Sequence, residues 1–155
     1  MDDYLFLEDL LIARIQQQVP ELTVQGIADL ADVDQSALST PSAFVVYLGD
    51  WVPQGASHQG GQKTIQTVTQ NWAVVLCVSY GDSAGDGYGA RRLAGPYLGQ
   101  LLATLTGWKP AQDVAPLVRA AQQAPTDYID GYFYYPLVFQ ANFVYPRSKP
   151  WQPKN

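Results

Sequence analysis

The chain has 155 residues and a mass of 17.0 kDa, enough for one domain that buries about two-thirds of the surface its unfolded chain exposes. Apolar residues supply 47% and charged residues 15%, against about 25% charged in an average globular protein, which excludes intrinsic disorder of the body. Residues 1–50 hold nine acids against one base, Arg14 (−8), and residues 51–155 five acids against eight bases (+3), a net of −5 that argues against a sequence-reading DNA binder.

The acidic start, Met1-Asp2-Asp3, is unlike a secretory leader, and the single Cys77 can form no internal disulfide; both lead to the expectation of a cytoplasmic chain. The longest apolar run, Trp72 to Val78, is far short of the roughly 20 residues of a membrane-crossing helix. Tyr4, Leu7, Leu11 and Ile15 recur at three- and four-residue steps, with Leu10 widening the stripe and Asp2 and Asp3 suited to cap it, so residues 3–18 are predicted as an amphipathic helix stopped by Pro20. A short strand follows at 22–27, then an acidic, turn-rich stretch from Asp29 to Ser42. Residues 43–48 are apolar on both faces, as in a central strand covered by helices on one side, and Gly49-Asp50 is expected to end it.

From Trp51 to Lys63 the chain is rich in Gly, Gln and Ser without periodicity and reads as a long loop. Thr64 to Tyr80 alternates with period two and reads as a strand of 17 residues. At about 3.3 Å per residue it would span roughly 56 Å, more than the roughly 40 Å diameter of a compact chain of this length. The half without a core pattern, 62–71, is therefore expected to protrude as one side of a hairpin arm. Such an arm is marginal alone and has open edges, so a neighbouring subunit is expected to cover it.

Gly81 to Gly89 reads as a connection, and Ala90 to Thr106 as a helix with Tyr97, Leu101, Leu105, Leu98 and Leu102 on its stripe, kinked or split by Pro96 and capped by Gly107. Residues 111–126 fit a short helix or an edge strand. Tyr132 to Tyr145 is again a strand, its odd positions nearly all apolar, with Pro136 at a bulge or an edge. The elements predict an α+β fold: a mixed or antiparallel sheet of four to five strands, two or three helices and a protruding hairpin arm. A single domain is expected over 1–146, followed by a basic, Pro-rich, extended tail over 147–155.

No catalytic set emerges. The one histidine, His58, lies in the Gly-rich loop, which positions a base poorly, so it reads as a spacer. Cys77 reads as a packing residue rather than a reactive thiol. Asp29, Asp32 and Asp34 lack the glycine and terminal glutamate of a calcium loop and read as a solvated turn. The run Gly85 to Gly89 lacks the Lys-Ser/Thr pair of a phosphate loop; Arg91 and Arg92 beyond it could meet an anion, but a hinge is the simpler reading. No cofactor or metal site is read. Trp72 and Trp108 are assigned to the core, whereas Trp51 at the arm's root and Trp151 in the tail are candidates for partner contact.

The order of helix, arm, long strand and kinked helix, with Leu105-Thr106-Gly107-Trp108-Lys109-Pro110 at that helix's end and Tyr128-Ile129-Asp130-Gly131-Tyr132 leading into an aromatic strand, resembles the tail-terminator (tail-completion) proteins of long-tailed bacteriophages over most of residues 3–145. The resemblance implies a non-enzymatic virion protein of the tail-neck region that forms a hexameric ring, caps the tail tube and joins the tail to the head. Its implied partners are other copies of itself, the tail-tube protein and a head-completion or connector protein, with DNA only in passage and no membrane. Contact residues are expected at Trp51, Gln54, His58, Gln59, Gln62, Lys63 and Gln66, at Arg91 and Arg92, and at Trp151. Asp29, Asp32 and Asp34 are expected to line the lumen and repel passing DNA. Two alternatives stay open: another neck or connector component, and a small-ligand-binding or enzymatic α+β domain.

Overall fold

A computed structural model describes residues 3–53, 57–60, 63–80 and 87–147. The chain runs through α1 (Leu7–Gln18), β1 (Thr23–Gly26), two 3-10 turns (Leu30–Asp32 and Gln35–Ala37), β2 (Ser42–Trp51), β3 (Ser57–Gly60), β4 (Lys63–Ser79), α2 (Tyr88–Leu105), β5 (Val118–Arg119), β6 (Asp127–Ile129) and β7 (Tyr132–Tyr145). The fold is α+β, as expected. An open mixed sheet has the order β1-β2-β4-β7-β5, with β3 attached to β4 and β6 to β7. That path has five strands, and the two short attached strands bring the total to seven. β1 is parallel to β2, and all other pairings are antiparallel.

The alternation in β4 distributes its side chains over two cores. Val68, Trp72, Val74, Leu76 and Val78 meet Phe133, Leu137, Phe139 and Phe143 of β7 and the buried stripes of α1 and α2, so both helices cover this face. Ala73, Val75 and Cys77 meet Phe44, Val46, Tyr134 and Val138 on the other face, where Ile27, Leu30, Val33 and Leu38 of the turn segment lie over them. Burial on both faces explains why 72–78 is apolar without interruption. It also gives the stretch around Asp29 a packing role, since Leu30 and Val33 beside the acids roof the second core.

Several expected boundaries move for identifiable reasons. The first helix starts at Leu7 rather than at residue 3, and its N-cap, Phe6, has no side-chain cap. Asp3 accepts a hydrogen bond from the Leu5 N–H instead (2.9 Å). The preceding segment is held elsewhere: Gln70, fully buried in β4, donates to the Tyr4 carbonyl (2.8 Å) and accepts from the Trp72 indole (3.0 Å). The Tyr4 hydroxyl also donates to Asp50, and burial, followed by that hydrogen bond, pushes its pKa up to about 12.

β2 does not end at Gly49. The register shifts by one residue between Tyr47 and Gly49, where Gly49 takes φ 107°, and pairing with β4 resumes through Trp51. Pro96 does not split the second helix; it is exposed within one continuous helix, so the Arg92 carbonyl it leaves without a helical donor faces water. Gly107 closes that helix as expected, with φ 79°, and donates to the Leu117 carbonyl (2.8 Å). Gly87 opens it in the left-handed region, where a Cβ would stand 2.6 Å from the Tyr128 ring. Within the open region 111–126 the structure has an edge strand, β5, and an isolated bridge from Val114 to Phe143.

β7 has the expected limits, and Pro136 sits at a local edge without a bulge, in register with Val75. Val138 shows how this works. Its C=O accepts from the Ala120 N–H (2.9 Å) and its N–H donates to the Gln123 side chain (3.0 Å), so it faces away from β4. Pro136, two residues earlier, faces the same way, into the gap between β6 and β5, where its missing N–H removes no bond to β4.

Candidate functional site

The chemistry-bearing side chains do not converge. Cys77 is fully buried between Ser42 and Tyr134, and burial pushes its thiol up to about 11, partly offset by those two hydroxyls, which is opposite to what a nucleophile needs. A cleft of about 250 Å³ beside Asp32 and Asp34 also has Phe44, Val33 and Leu38 on its walls. No group of three His, Cys, Asp or Glu among the described residues could hold a metal ion, and no described helix is long and apolar enough to cross a membrane. Asp29 caps the first 3-10 turn by accepting from the Ala31 N–H (3.0 Å).

The distinctive feature is the end of β4. From Thr69 to Ser79 the strand has β7 on one side and, through Cys77, β2 on the other. β2 stops at Trp51 opposite Thr69, and β3 takes up the same side of β4 with Ser57 opposite Gln66. Five residues separate β2 from β3 where two separate their partners on β4, so the strand beside β4 is interrupted. β7 ends at Tyr145, opposite Gln66. Beyond that point Lys63–Ile65 is held by β3 alone, and β3 contacts no other helix or strand.

The hairpin arm is therefore present but shorter than expected. Residues 69–71 lie inside the sheet, and Val68, Thr69 and Gln70 are buried, because β2 continues to Trp51 on one side of them and β7 to Tyr145 on the other. The loop expected over 51–63 likewise contains a strand. Alternation of the ladder identifies the arm's open groups. Even residues of β4 bond toward β7, so the N–H and C=O of Thr64 point to the side that β7 has vacated, while Lys63 and Ile65 bond to β3.

The sequence-based contact residues separate into distinct regions. Trp51 is 61% exposed at the arm's root. His58, Gln59, Lys63 and Gln66 lie along the arm by backbone position: His58 opposes Ile65, Gln59 opposes Thr64, Lys63 opposes Gly60, and Gln66 opposes Ser57. Gln54, Gln62 and Trp151 fall outside the described residues. Arg91 and Arg92 are at the other end of β4: Arg91 donates to the Tyr128 hydroxyl (3.2 Å), Arg92 lies 5.6 Å over the Tyr88 ring, and the strand containing Tyr128 pairs with Tyr132, which opposes Ser79. Thirteen residue steps along β4 lead from Gln66 to Ser79, about 43 Å at 3.3 Å per step. Asp29, Asp32 and Asp34 belong to the cover of the second sheet face.

Sequence reasoning missed several exposed apolar residues on that second face. Ile65 shares the odd-residue side of β4, Val144 opposes Thr67, Val118 opposes Gln140, and Leu48 lines a hollow with Ala73 and Val75. Their signal was the continuation of period two into segments that look polar. No curated protein matches the chain. The family model described as phage tail terminator protein matches residues 1–150.

Proposed function

The chain belongs to the phage tail terminator family, which makes it a structural component of a virion tail, and we propose that it closes the tail as a ring, most simply a hexamer, seated on the last layer of tube subunits. The observation that supports this most is the arm: β3 and Lys63–Ile65 hold each other alone, with Thr64 left open at one edge and Trp51 exposed at the root. A two-stranded ribbon of this kind gains its stability from a further strand or surface. A second copy supplies one, and a head-to-tail contact that closes on itself ends growth instead of propagating it. The ring's other face then meets the head-completion or connector protein at the neck, after assembly in the host cytoplasm.

Deleting Gln54–Gln62 removes β3 and leaves 52, 53 and 63–68 to bridge Trp51 and Thr69. The expected result is a folded chain that forms no ring and, supplied to a phage lacking the wild-type protein, leaves overlong or headless tails under the electron microscope. Tails of normal length with heads attached would refute the role of the arm.

A further inference from the structure

We infer that the sheet face opposite the helices seats the outer side of α2 from a neighbouring copy, an assignment that rests on the self-assembly reading above and names the two surfaces that meet. The first surface combines exposed apolar groups with acids. Leu48, Trp51, Val118 and Val144 project from this face, between 44% and 61% exposed. Asp29, Asp32 and Asp34 border it on the turn segment.

Apart from Lys63, which by backbone register lies with Ile65 on this side of β4 at the tip of the arm, the basic residues of the described chain lie away from this face. Arg14, Arg91 and Arg92 are on the helices, Arg119 opposes Phe139 and shares its helix-side face, and Lys109 and Arg147 flank Asp113. Arg147 forms a bidentate pair with Asp113 (2.7 and 2.9 Å) and lies over the ring of Phe6.

The second surface is complementary. α2 contains two arginines and no acid. Tyr88 is 57% exposed beside Arg92, and Gly95 and Gly99, on the same side of the helix by their spacing, have open space where a Cβ would stand; Leu93, 50% exposed, lies about 100° round the helix from Arg92, on its flank. Packing the acidic face against its own copy would set like charges together. Packing it against α2 pairs acids with arginines and apolar groups with the Tyr88 ring. The two surfaces lie on opposite sides of one sheet, so the contact is heterologous, the type that closes into a ring. Asp32 and Asp34 thereby act between copies, in place of the DNA-facing role expected from charge alone.

The test is charge exchange in the full chain, with self-association measured by sedimentation in the absence and presence of tail tubes. Asp32→Arg and Arg92→Asp should each weaken association at least tenfold, and the variant carrying both should recover to within about threefold of wild type. Unchanged melting temperatures identify the loss as one of contact. Should a reversal unfold the chain, Asp32→Asn and Arg92→Gln serve the same test with an expected loss of about threefold. Association within twofold of wild type in both single variants, or a double variant as weak as either one, overturns the assignment while leaving ring formation standing. A wild-type chain that stays monomeric with and without tubes overturns both.

Discussion

The two ends of β4 are chemically continuous and structurally opposite. Trp72–Ser79 has β7 beside it throughout, β2 beside it through Cys77, and a hydrophobic core above and below, whereas Lys63–Ile65 has one short neighbour and an exposed Ile65. The first end needs nothing outside the chain to be stable. The second has a strand's hydrogen-bonding geometry with a single partner strand, which is how a site for another molecule differs from a structural element. Two tryptophans show the contrast: Trp72 is 2% exposed, while Trp51, only three ladder positions away opposite Thr69, is 61% exposed.

Substitutions at the two ends should separate accordingly. The largest effect is expected for Trp72→Ala, which empties a buried site against Tyr47 (rings 4.9 Å apart) and removes the donor to the buried Gln70 carboxamide oxygen. A loss of about 3–5 kcal/mol in urea unfolding is predicted. Gln123→Ala comes next, because this side chain stands in for a strand beside β7, bonding to the Ala120 carbonyl and to both backbone groups of Val138. Its loss should cost about 1–3 kcal/mol by the same measurement.

Arg147→Ala should cost about 1 kcal/mol at neutral pH. The hydrogen bond from Arg147 is the main cause holding the Asp113 carboxyl below its ordinary 3.8. A lowered folded pKa stabilises above the unfolded value and ceases to do so as pH falls through the folded one. The gap between wild type and Arg147→Ala should therefore narrow as unfolding is measured at progressively lower pH below about 4. Trp51→Ala should change stability least, by less than about 0.5 kcal/mol, yet weaken self-association several-fold in sedimentation.

Much of the central sheet was legible because burial imposes periodicity. The odd residues of β7 and the even residues of β4 display it directly, and β7 has the predicted limits. The end of the second helix was legible through Gly107, whose left-handed backbone favours that residue. β3 was not legible, since Ser57-His58-Gln59-Gly60 contains no apolar residue whose alternation would mark a strand, and its assignment comes from backbone pairing with β4. The start of the first helix was hidden for a different reason: Tyr4 is drawn aside by Gln70 and Asp50, residues 66 and 46 positions away. At the candidate surface, Trp51 stood out as a large aromatic in a polar stretch. Val118, Val144 and Ile65 became visible as one patch only once the ladder put them on the same face.

Amide hydrogen exchange, residue by residue, in the isolated chain and in the assembled ring decides whether the arm is held by a neighbouring copy. Strong protection is expected at Trp72–Val78 in both states, and protection of Thr64 and the rest of the arm in the ring alone. An arm protected to the same degree in the isolated chain, or left unprotected in the ring, would contradict this.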